Sequence, residues 1–324
     1  MAVNEGLRLA VLACFHNEEQ HLPTMLASIA AQTQPPEQML LIDDGSRDSS
    51  YEIAAAFARE HSWANALRRP FKPRSRDRLA TAGELVAFQW GLKHLNEPWD
   101  IVVKLDADLR LNSEVFEVVR RRFSSRPELG ITGPYLSTLE TDGALRREHH
   151  PLNHVRGATK FYRRTCFDQI GPMPPILGWD TIDELCARSK GWATETFQMS
   201  TADCIHLRPL GEHDGRLRSF HRRGLCAWAY GAHPLWVLLG SIYRARETPR
   251  LLGGLNYLCG WLAGAARRYP RAEPSLRAYA SEEDLAHLRR RLRRVSVSSH
   301  ADEAALAKEF TGQLGLARSE VRRY

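Results

Sequence analysis

Along the first third of the chain, apolar runs of strand length alternate with stretches of helical spacing. "LRLAVLACF" (7–15) is continuously apolar, which suits a strand buried on both faces. In "EEQHLPTMLASIAAQT" (18–33), Leu22, Met25, Leu26 and Ile29 recur at the intervals of one helix face. "QMLLIDDGS" (38–46) is a second apolar run, closed by carboxylates and a turn. "SSYEIAAAFAREH" (49–61) reads as a helix, with Ser49 or Ser50 able to cap it and Glu52 in its first turn. A third helix is predicted over "TAGELVAFQWGLKHL" (81–95), and "DIVVKLDADLRL" (100–111) follows as a strand.

This alternation predicts an α/β architecture: a parallel sheet with right-handed crossovers. In such sheets ligands sit beyond the carboxyl ends of the strands. Asn17-Glu18, Asp43-Asp44 and Asp106-Asp108 all fall at those ends, so they are expected at the rim of a cleft. The stretch 131–207 is less regular, with a helix around "TIDELCARSKGW" (181–192) and a short strand near "ADCIHL" (202–207). Beyond about residue 210 the chain turns to apolar helical stretches punctuated by arginine.

Charge sharpens that division. Residues 208–324 carry 21 Lys/Arg against 11 Asp/Glu, or +10, whereas residues 1–207 carry 24 against 27, or −3. A near-neutral first part joined to a strongly basic last third implies two jobs, the second involving something anionic. The cysteines at 14, 166, 186, 204, 226 and 259 form no C-x-x-C pair and no zinc spacing. They are expected to be reduced, mostly buried thiols of a cytosolic protein. The N-terminus has no basic n-region, and its apolar run is broken by His16, Asn17 and Glu18, so a signal peptide is not expected. Leu251–Ala266, the longest uncharged helical candidate, falls short of the roughly 20 residues that an ordinary membrane span needs.

Carboxylate oxygens are hard ligands, and a D-x-D at a strand end suits a Mg²⁺ or Mn²⁺ that must also hold phosphates. Taken alone, "DAD" is also what a turn cap looks like. The order of motifs around it is more specific: an apolar strand, a turn ending in Asn17-Glu18, a helix closing with Gln32-Thr33, "IDDGSRD" (42–48), and Asp106-Ala107-Asp108 about 60 residues on. In this order and spacing the chain, over roughly residues 7–210, resembles glycosyltransferase family 2.

The resemblance implies a GT-A fold, a Rossmann-like, mostly parallel sheet flanked by helices, over residues 1–210. A basic, amphipathic helical extension, membrane-proximal or dimerising, is expected over 211–324. It further implies an inverting transferase that moves one sugar from a nucleotide-diphosphate sugar to a hydroxyl of a glycan or polyprenyl-linked acceptor in bacterial envelope or exopolysaccharide synthesis, with Mg²⁺ or Mn²⁺ as cofactor. Carried over by position, Glu18 and Asp43 contact the base or ribose, Arg78 lies near the nucleotide, and Asp106 lies near the ribose. Asp108 binds the metal that bridges the diphosphate, and His206 in "DCIHLRP" is a further ligand. Other roles are open to the same residues. Asp43 and Asp44 also suit an Asx-type turn before Gly45, Arg78 a solvated loop, and His206 a structural histidine.

The family's acidic motif, which supplies the base that takes the acceptor's proton, matches "LGWDTIDELCARSKGW" (177–192) only loosely. Reading T-I-D as T-E-D makes Asp183 the base, the assignment preferred here. Counting back from Gly191-Trp192 points instead to Asp180. Upstream, "VRGATKFYRRTCFDQIG" (155–171) resembles the segment where small residues, here Gly157 and Ala158, let the sugar approach the backbone. In place of the Q-x-x-R-W of processive members stands "RSFHRRGLCAW" (218–228), which argues against a processive synthase. Arg222 and Arg223 are nonetheless expected to reach the diphosphate, since guanidinium forks match phosphate geometry.

In the basic third, Trp236, Tyr243, Tyr257 and Trp261 stand among aliphatics with arginines at the ends, and "HLRRRLRRV" (287–295) adds a dense basic run. That pattern fits an anionic membrane surface, and the enzyme is expected in the cytoplasm, docked on the inner face of the plasma membrane. A helical subdomain packed on the catalytic domain, or across a homodimer, has the same pattern. No nucleic-acid module accompanies the basic run, so nucleic acid is not expected. Two other functions share parts of the pattern: an inactive sugar-nucleotide-binding scaffold, and a sugar nucleotidyltransferase. The latter needs a Gly-rich basic phosphate loop, which "CFHNEEQ" is not.

Overall fold

The computed structural model describes residues 6–70, 81–140, 143–148, 150–199, 204–208, 215–247 and 249–290. Arg78 lies outside the described residues, as does the basic run from residue 291 onward.

The first elements follow the apolar pattern: β1 (Leu9–Phe15), α1 (Leu22–Ala30), β2 (Gln38–Asp43) and α2 (Ser50–Glu60). An edge strand, β3 (Ala64–Arg68), intervenes before α3 (Gly83–Leu92) and β4 (Ile101–Asp106). The expected strand 100–111 is broken after Asp106, because Leu109–Arg110 (β5) leaves for a second sheet. The break is held from both sides. The Asp106 N–H donates to the Ala158 carbonyl at 2.8 Å, and the Asp108 carbonyl accepts from the Leu207 N–H at 2.8 Å.

The middle of the chain holds more structure than its pattern announces. It runs α4 (Val115–Ser125), β6 (Leu129–Pro134), β7 (Leu136–Leu139), β8 (Leu145–Arg147), β9 (Thr159–Arg163), α5 (Arg164–Ile170), α6 (Trp179–Ser189), β10 (Ala193–Phe197) and β11 (Cys204–His206). The last part is helical: α7 (Arg216–Tyr230), α8 (Pro234–Arg244), α9 (Leu252–Ala266) and a helix over 274–290, here α10.

Seven strands form the main sheet in the order β10-β6-β9-β4-β1-β2-β3. All neighbouring pairs are parallel except those of β9, which runs antiparallel to β4 and to β6. Alternate residues of β1 feed two cores. Leu9, Val11, Ala13 and Phe15 pack with residues of α1 and α4, while Ala10 and Leu12 pack with residues of α3 and α6. Burial on both faces explains why this strand reads as an unbroken apolar run. A smaller sheet, β5-β11-β7-β8, stands beside the carboxyl end of β4.

The C-terminal helices pack on one another and on the α/β part of the chain. A Cβ on Gly224 of α7 would lie 1.9 Å from the Tyr257 carbonyl oxygen, and one on Gly260 of α9 would lie 2.0 Å from that of His221. Only glycine permits this backbone-to-backbone crossing. Arg188 of α6 donates to both oxygens of Glu283 in α10, at 2.8 and 2.9 Å, and the His233 N–H donates to Asp284 at 2.9 Å. Among the described residues no helix is long and apolar enough to cross a membrane. All six cysteines are free, but only Cys166 and Cys204 are buried; Cys14, Cys186 and Cys226 are half-buried and Cys259 is exposed. The expected burial thus holds for a minority of them.

Candidate active site

The carboxyl ends of β1, β2 and β4 lie in register, with Phe15 beside Asp43 and Cys14 beside Asp106. Asn17 turns the chain just beyond β1 with a left-handed φ of 55°. Its N–H donates to Ser46 Oγ at 3.0 Å and its Oδ1 accepts from the Arg47 N–H at 2.8 Å. The Glu18 N–H donates to Ser50 Oγ at 2.7 Å. The N-E turn and the D-D-G-S-x-D turn are therefore one interlocked unit. Asp43, expected at the nucleotide, is wholly buried. Its Oδ1 accepts from the Ser46 N–H at 2.7 Å, closing the turn, and its Oδ2 lies 3.3 Å from Arg68 Nε. Asp44 pairs with Arg69 at 2.5 Å.

The D-x-D aspartates face different partners. Lys104, buried in β4, donates from Nζ to Asp106 Oδ1 at 2.5 Å and lies 3.8 Å from Glu84. Burial pushes the Asp106 carboxyl up to about 7, against the pull of Lys104. Asp108 Oδ2 lies 3.3 Å from His206 Nε2, while the other ring nitrogen, Nδ1, lies 3.4 Å from Glu148 Oε1. Glu148 is itself held by Arg156 at 2.6 Å and Thr138 at 3.0 Å. Burial works against a charged His206, but the two carboxylates prevail and raise it to about 9. Burial likewise works to raise Asp108; the hydrogen bond from His206 and the charges of His206 and Arg208 hold it below the usual carboxylate range. Arg208 closes the group, 2.6 Å from Glu18 and 3.8 Å from Asp108.

The fold thus brings Glu18, Asp106, Asp108 and His206 to one edge, as the motifs predict. Lys104, Glu148, Arg156 and Arg208 were not anticipated. Arg208 had a signal: His206-Leu207-Arg208 at a strand end places its first and third residues on one side. Glu148 had none, because its place depends on the pairing of β7 with β8 and β11.

The acidic motif resolves into two unlike aspartates. Asp183 has no exposed side-chain surface. Lys160 Nζ reaches its oxygens at 3.0 and 3.2 Å, the Tyr162 hydroxyl donates to Oδ2 at 2.6 Å, and the Glu184 N–H donates to Oδ1 at 2.6 Å. Burial, partly offset by Lys160, raises it to about 6. That value suits a base, but access comes first, and both oxygens are engaged. The preference for Asp183 as base therefore meets a geometric objection. Asp180, in the first turn of α6, is half-buried. Its Oδ2 stands where a Cβ on Gly157 would come within 3.0 Å, so the missing side chain of Gly157 makes room for this carboxylate.

Next to Asp180 in sequence, the Trp179 ring lies near two buried lysines that are cross-strand partners on β4 and β9, with Lys104 Nζ 5.4 Å and Lys160 Nζ 5.8 Å from its centroid. Arg222 and Arg223 lie on α7 just before Cys226, whose Cβ is 3.1 Å from where a Cβ on Gly178 would stand. That contact sets the carboxyl-terminal half of α7 beside the Asp180 turn.

As it stands the Asp108–His206 contact is an ion pair; with Nε2 deprotonated, the same two side chains would suit a small divalent cation. Their 3.3 Å separation is close to the spacing, about 3 Å, of neighbouring ligands with bonds of about 2.1 Å. An oxygen and an imidazole nitrogen suit Mg²⁺ or Mn²⁺. Among the described residues no group of three or more His, Cys, Asp or Glu is arranged to hold a metal. The remaining ligands would have to be phosphate and water, as is usual for Mg²⁺.

Comparison with known proteins agrees with this architecture. A poly-β-1,6-N-acetyl-D-glucosamine synthase of Staphylococcus epidermidis is 27% identical over 272 residues, 76% of this chain but 59% of the relative. The chain thus spans under two thirds of that relative's length. A cholesterol galactosyltransferase of Borreliella burgdorferi is 38% identical over 56 residues, 17% of this chain and 16% of the relative. Among solved structures, the mannosyltransferase PcManGT of Pyrobaculum calidifontis, in complex with GDP-Man and Mn²⁺, superposes with a TM-score of 0.52. It is 14% identical, over 87% of this chain and 81% of its own. GalNAc-T7, with UDP, GalNAc and Mn²⁺, gives 0.54 at 12% identity, over 82% of this chain and 59% of its own. These likenesses establish the expected GT-A fold with C-terminal helices. The model of "Glycosyl transferase family 2" matches residues 10–176, ending just short of Asp180. That match covers 167 of 324 residues, over half of the sequence, and the chain belongs to glycosyltransferase family 2.

Proposed function

We propose that this chain moves a single sugar from a nucleotide-diphosphate donor to a hydroxyl of an envelope or exopolysaccharide glycan, free or lipid-linked, with inversion, and that Asp180 is the base. The observation that carries the reading is the convergence of Asp108, His206 and Glu18 at the carboxyl edge of the sheet, with Asp180 open beside Gly157. Asp180 accepts the proton of the acceptor hydroxyl as that oxygen attacks the anomeric carbon. Asp183 positions Asp180 rather than replacing it: Lys160, which Asp183 anchors, also donates to the Asp180 backbone carbonyl at 2.5 Å. Glu148 on Nδ1 fixes the His206 ring so that Nε2 faces Asp108. A cation held by Asp108 and His206 would neutralise charge on the departing diphosphate. Glu18 and Asp106 remain the candidates for the base and ribose, and Arg222 and Arg223 for the diphosphate.

The named activity of the Staphylococcus relative supports a polysaccharide acceptor, although that protein is a polymer synthase. "RSFHRRGLCAW" departs from the processive pattern, and for that reason transfer of one sugar is proposed. An inactive nucleotide-sugar-binding role draws support from the ion pairs that already fill the cleft, Glu18–Arg208 above all.

Thermal shift against UDP, GDP, dTDP and CDP, each with and without Mn²⁺, separates these readings. A nucleotide at 100 times its dissociation constant stabilises by about 2.7 kcal/mol. One nucleotide should do so only with metal, and Asp108→Ala should abolish the shift. Binding without turnover of the matching sugar nucleotide would favour the inactive role. No shift with any nucleotide would overturn the donor assignment.

A further inference from the structure

Helices α8 and α9 expose apolar residues in stripes. On α8, Leu235, Leu238, Leu239, Ile242 and Tyr243 are 43–63% exposed, at intervals that keep them on one side of the helix. The opposite side carries buried Val237 and meets α9 at Ser241, whose hydroxyl donates to the Gly254 carbonyl at 2.9 Å. On α9, Gly253, Gly260 and Gly264 face α7, and Leu252, Leu255 and Leu262, all 47–56% exposed, lie on the far side. Leu251, just before the helix, is 74% exposed. Soluble proteins rarely leave so many large apolar side chains in contiguous stripes uncovered.

The charges around these stripes are of one sign. Between Pro234 and Arg271 there are six arginines, no lysine and a single acid, Glu247. Arg246 and Arg250 lie exposed in the α8–α9 connection, and Arg267, Arg268 and Arg271 lie exposed past the end of α9. The fifteen residues of α9 reach only about 22 Å, short of the roughly 30 Å hydrocarbon core, so the helix is not a span. An apolar side with arginines at its margins is the makeup of a helix that lies in the plane of an anionic interface.

We infer that the exposed sides of α8 and α9 form a docking surface for an anionic lipid bilayer, with the leucines in the headgroup–acyl boundary and the arginines on the headgroups. The charge complementarity selects lipid over a second copy of the chain, whose own α8–α9 side would bring arginine against arginine. The inference does not rest on the donor or on the base assigned above.

Flotation of the full-length protein with vesicles of phosphatidylglycerol and phosphatidylethanolamine tests it, with phosphatidylcholine vesicles as the neutral arm. The protein should float with the anionic vesicles, far less with the neutral ones, and less at high salt. The double variant Leu239→Glu/Leu255→Glu should weaken binding about a hundredfold, taking roughly tenfold for each leucine withheld from the bilayer. Both positions are exposed, so circular dichroism should show an unchanged melting temperature, and any nucleotide-dependent thermal shift should persist in the variant. Failure of the donor reading would remove that shift without touching flotation. Three results would overturn the inference: no binding to anionic vesicles, binding that the double variant leaves intact, or a wild-type dimer that the double variant splits without any vesicle binding.

Discussion

Replacing Asp180 and Asp183 separately by alanine separates the chemistry of the acidic motif from its scaffolding. In the Asp183→Ala variant the Tyr162 hydroxyl and the Glu184 N–H each lose a buried acceptor. Each such loss costs about 1–3 kcal/mol. Lys160, wholly buried, is left with Glu184 at 3.0 Å as its one remaining carboxylate. The two losses together cost about 2–6 kcal/mol, and since Glu184 stays to pair Lys160, the further 3–5 kcal/mol of a broken buried ion pair is not added; about 4 kcal/mol is expected. At roughly 2–4 °C per kcal/mol for a chain of this size, the melting temperature should fall by about 10 °C. Asp180→Ala removes a half-exposed carboxylate and leaves the backbone carbonyl that Lys160 uses. Its melting temperature should stay within about 2 °C, while turnover falls by about 10²–10⁴. The assays are thermal unfolding followed by circular dichroism, and release of nucleoside diphosphate from the donor that the shift panel identifies. An Asp183→Ala protein that melts with the parent yet is inert, beside an Asp180→Ala protein that turns over normally, would refute the reasoning.

Two other perturbations probe the helical third. Gly260→Ala puts a methyl group 2.0 Å from the His221 carbonyl oxygen, a backbone atom that cannot swing aside, so α9 must shift on α7. Urea unfolding should show a loss of about 1–3 kcal/mol, and an unchanged midpoint would mean that the helices are not in backbone contact. Asp284 is pushed up to about 7 by burial and by Glu283, against the hydrogen bond from His233. With the folded value above the unfolded one, wild-type stability should decline as pH rises from about 4 through 7 and stay low above. Asp284→Asn keeps an acceptor for the His233 N–H without the charge. Its melting temperature should exceed the wild type's more at pH 8 than at pH 5, and a gap independent of pH would contradict the assignment.

The first half of the main sheet was legible because its strands are buried on both faces and its helices on one. β3 escaped because it is an edge strand of mixed exposure, and "ANALR" carries no period. β9 escaped for the opposite reason. It is buried, but Thr159 and Lys160 interrupt the apolar run, and only Asp183 and Glu184, some two dozen residues on, make a buried lysine tolerable there. β6 contains two glycines and a proline, and the second sheet consists of strands of two to four residues, too short for any period to show. The site was legible where motifs mark strand ends. Asp180 and Asp183 stayed ambiguous because both fit the spacing, and what separates them is depth, which depends on β9.

Among the described residues, β9 is the strand that joins the β3-β2-β1-β4 half of the main sheet to the β6-β10 half. During synthesis, β4 leaves the ribosome with one edge unpaired until β9, more than fifty residues later, has emerged. At about 5–20 residues per second that edge stays open for roughly 3–10 s. An open edge is a template for mispairing with other chains. The sequence of that edge is "IVVKLD", and Lys104 is the one cation in it. Before it becomes the partner of Asp106, Lys104 is therefore a gatekeeper: a charge set in an otherwise sticky strand that discourages nascent chains from aggregating while they wait for β9.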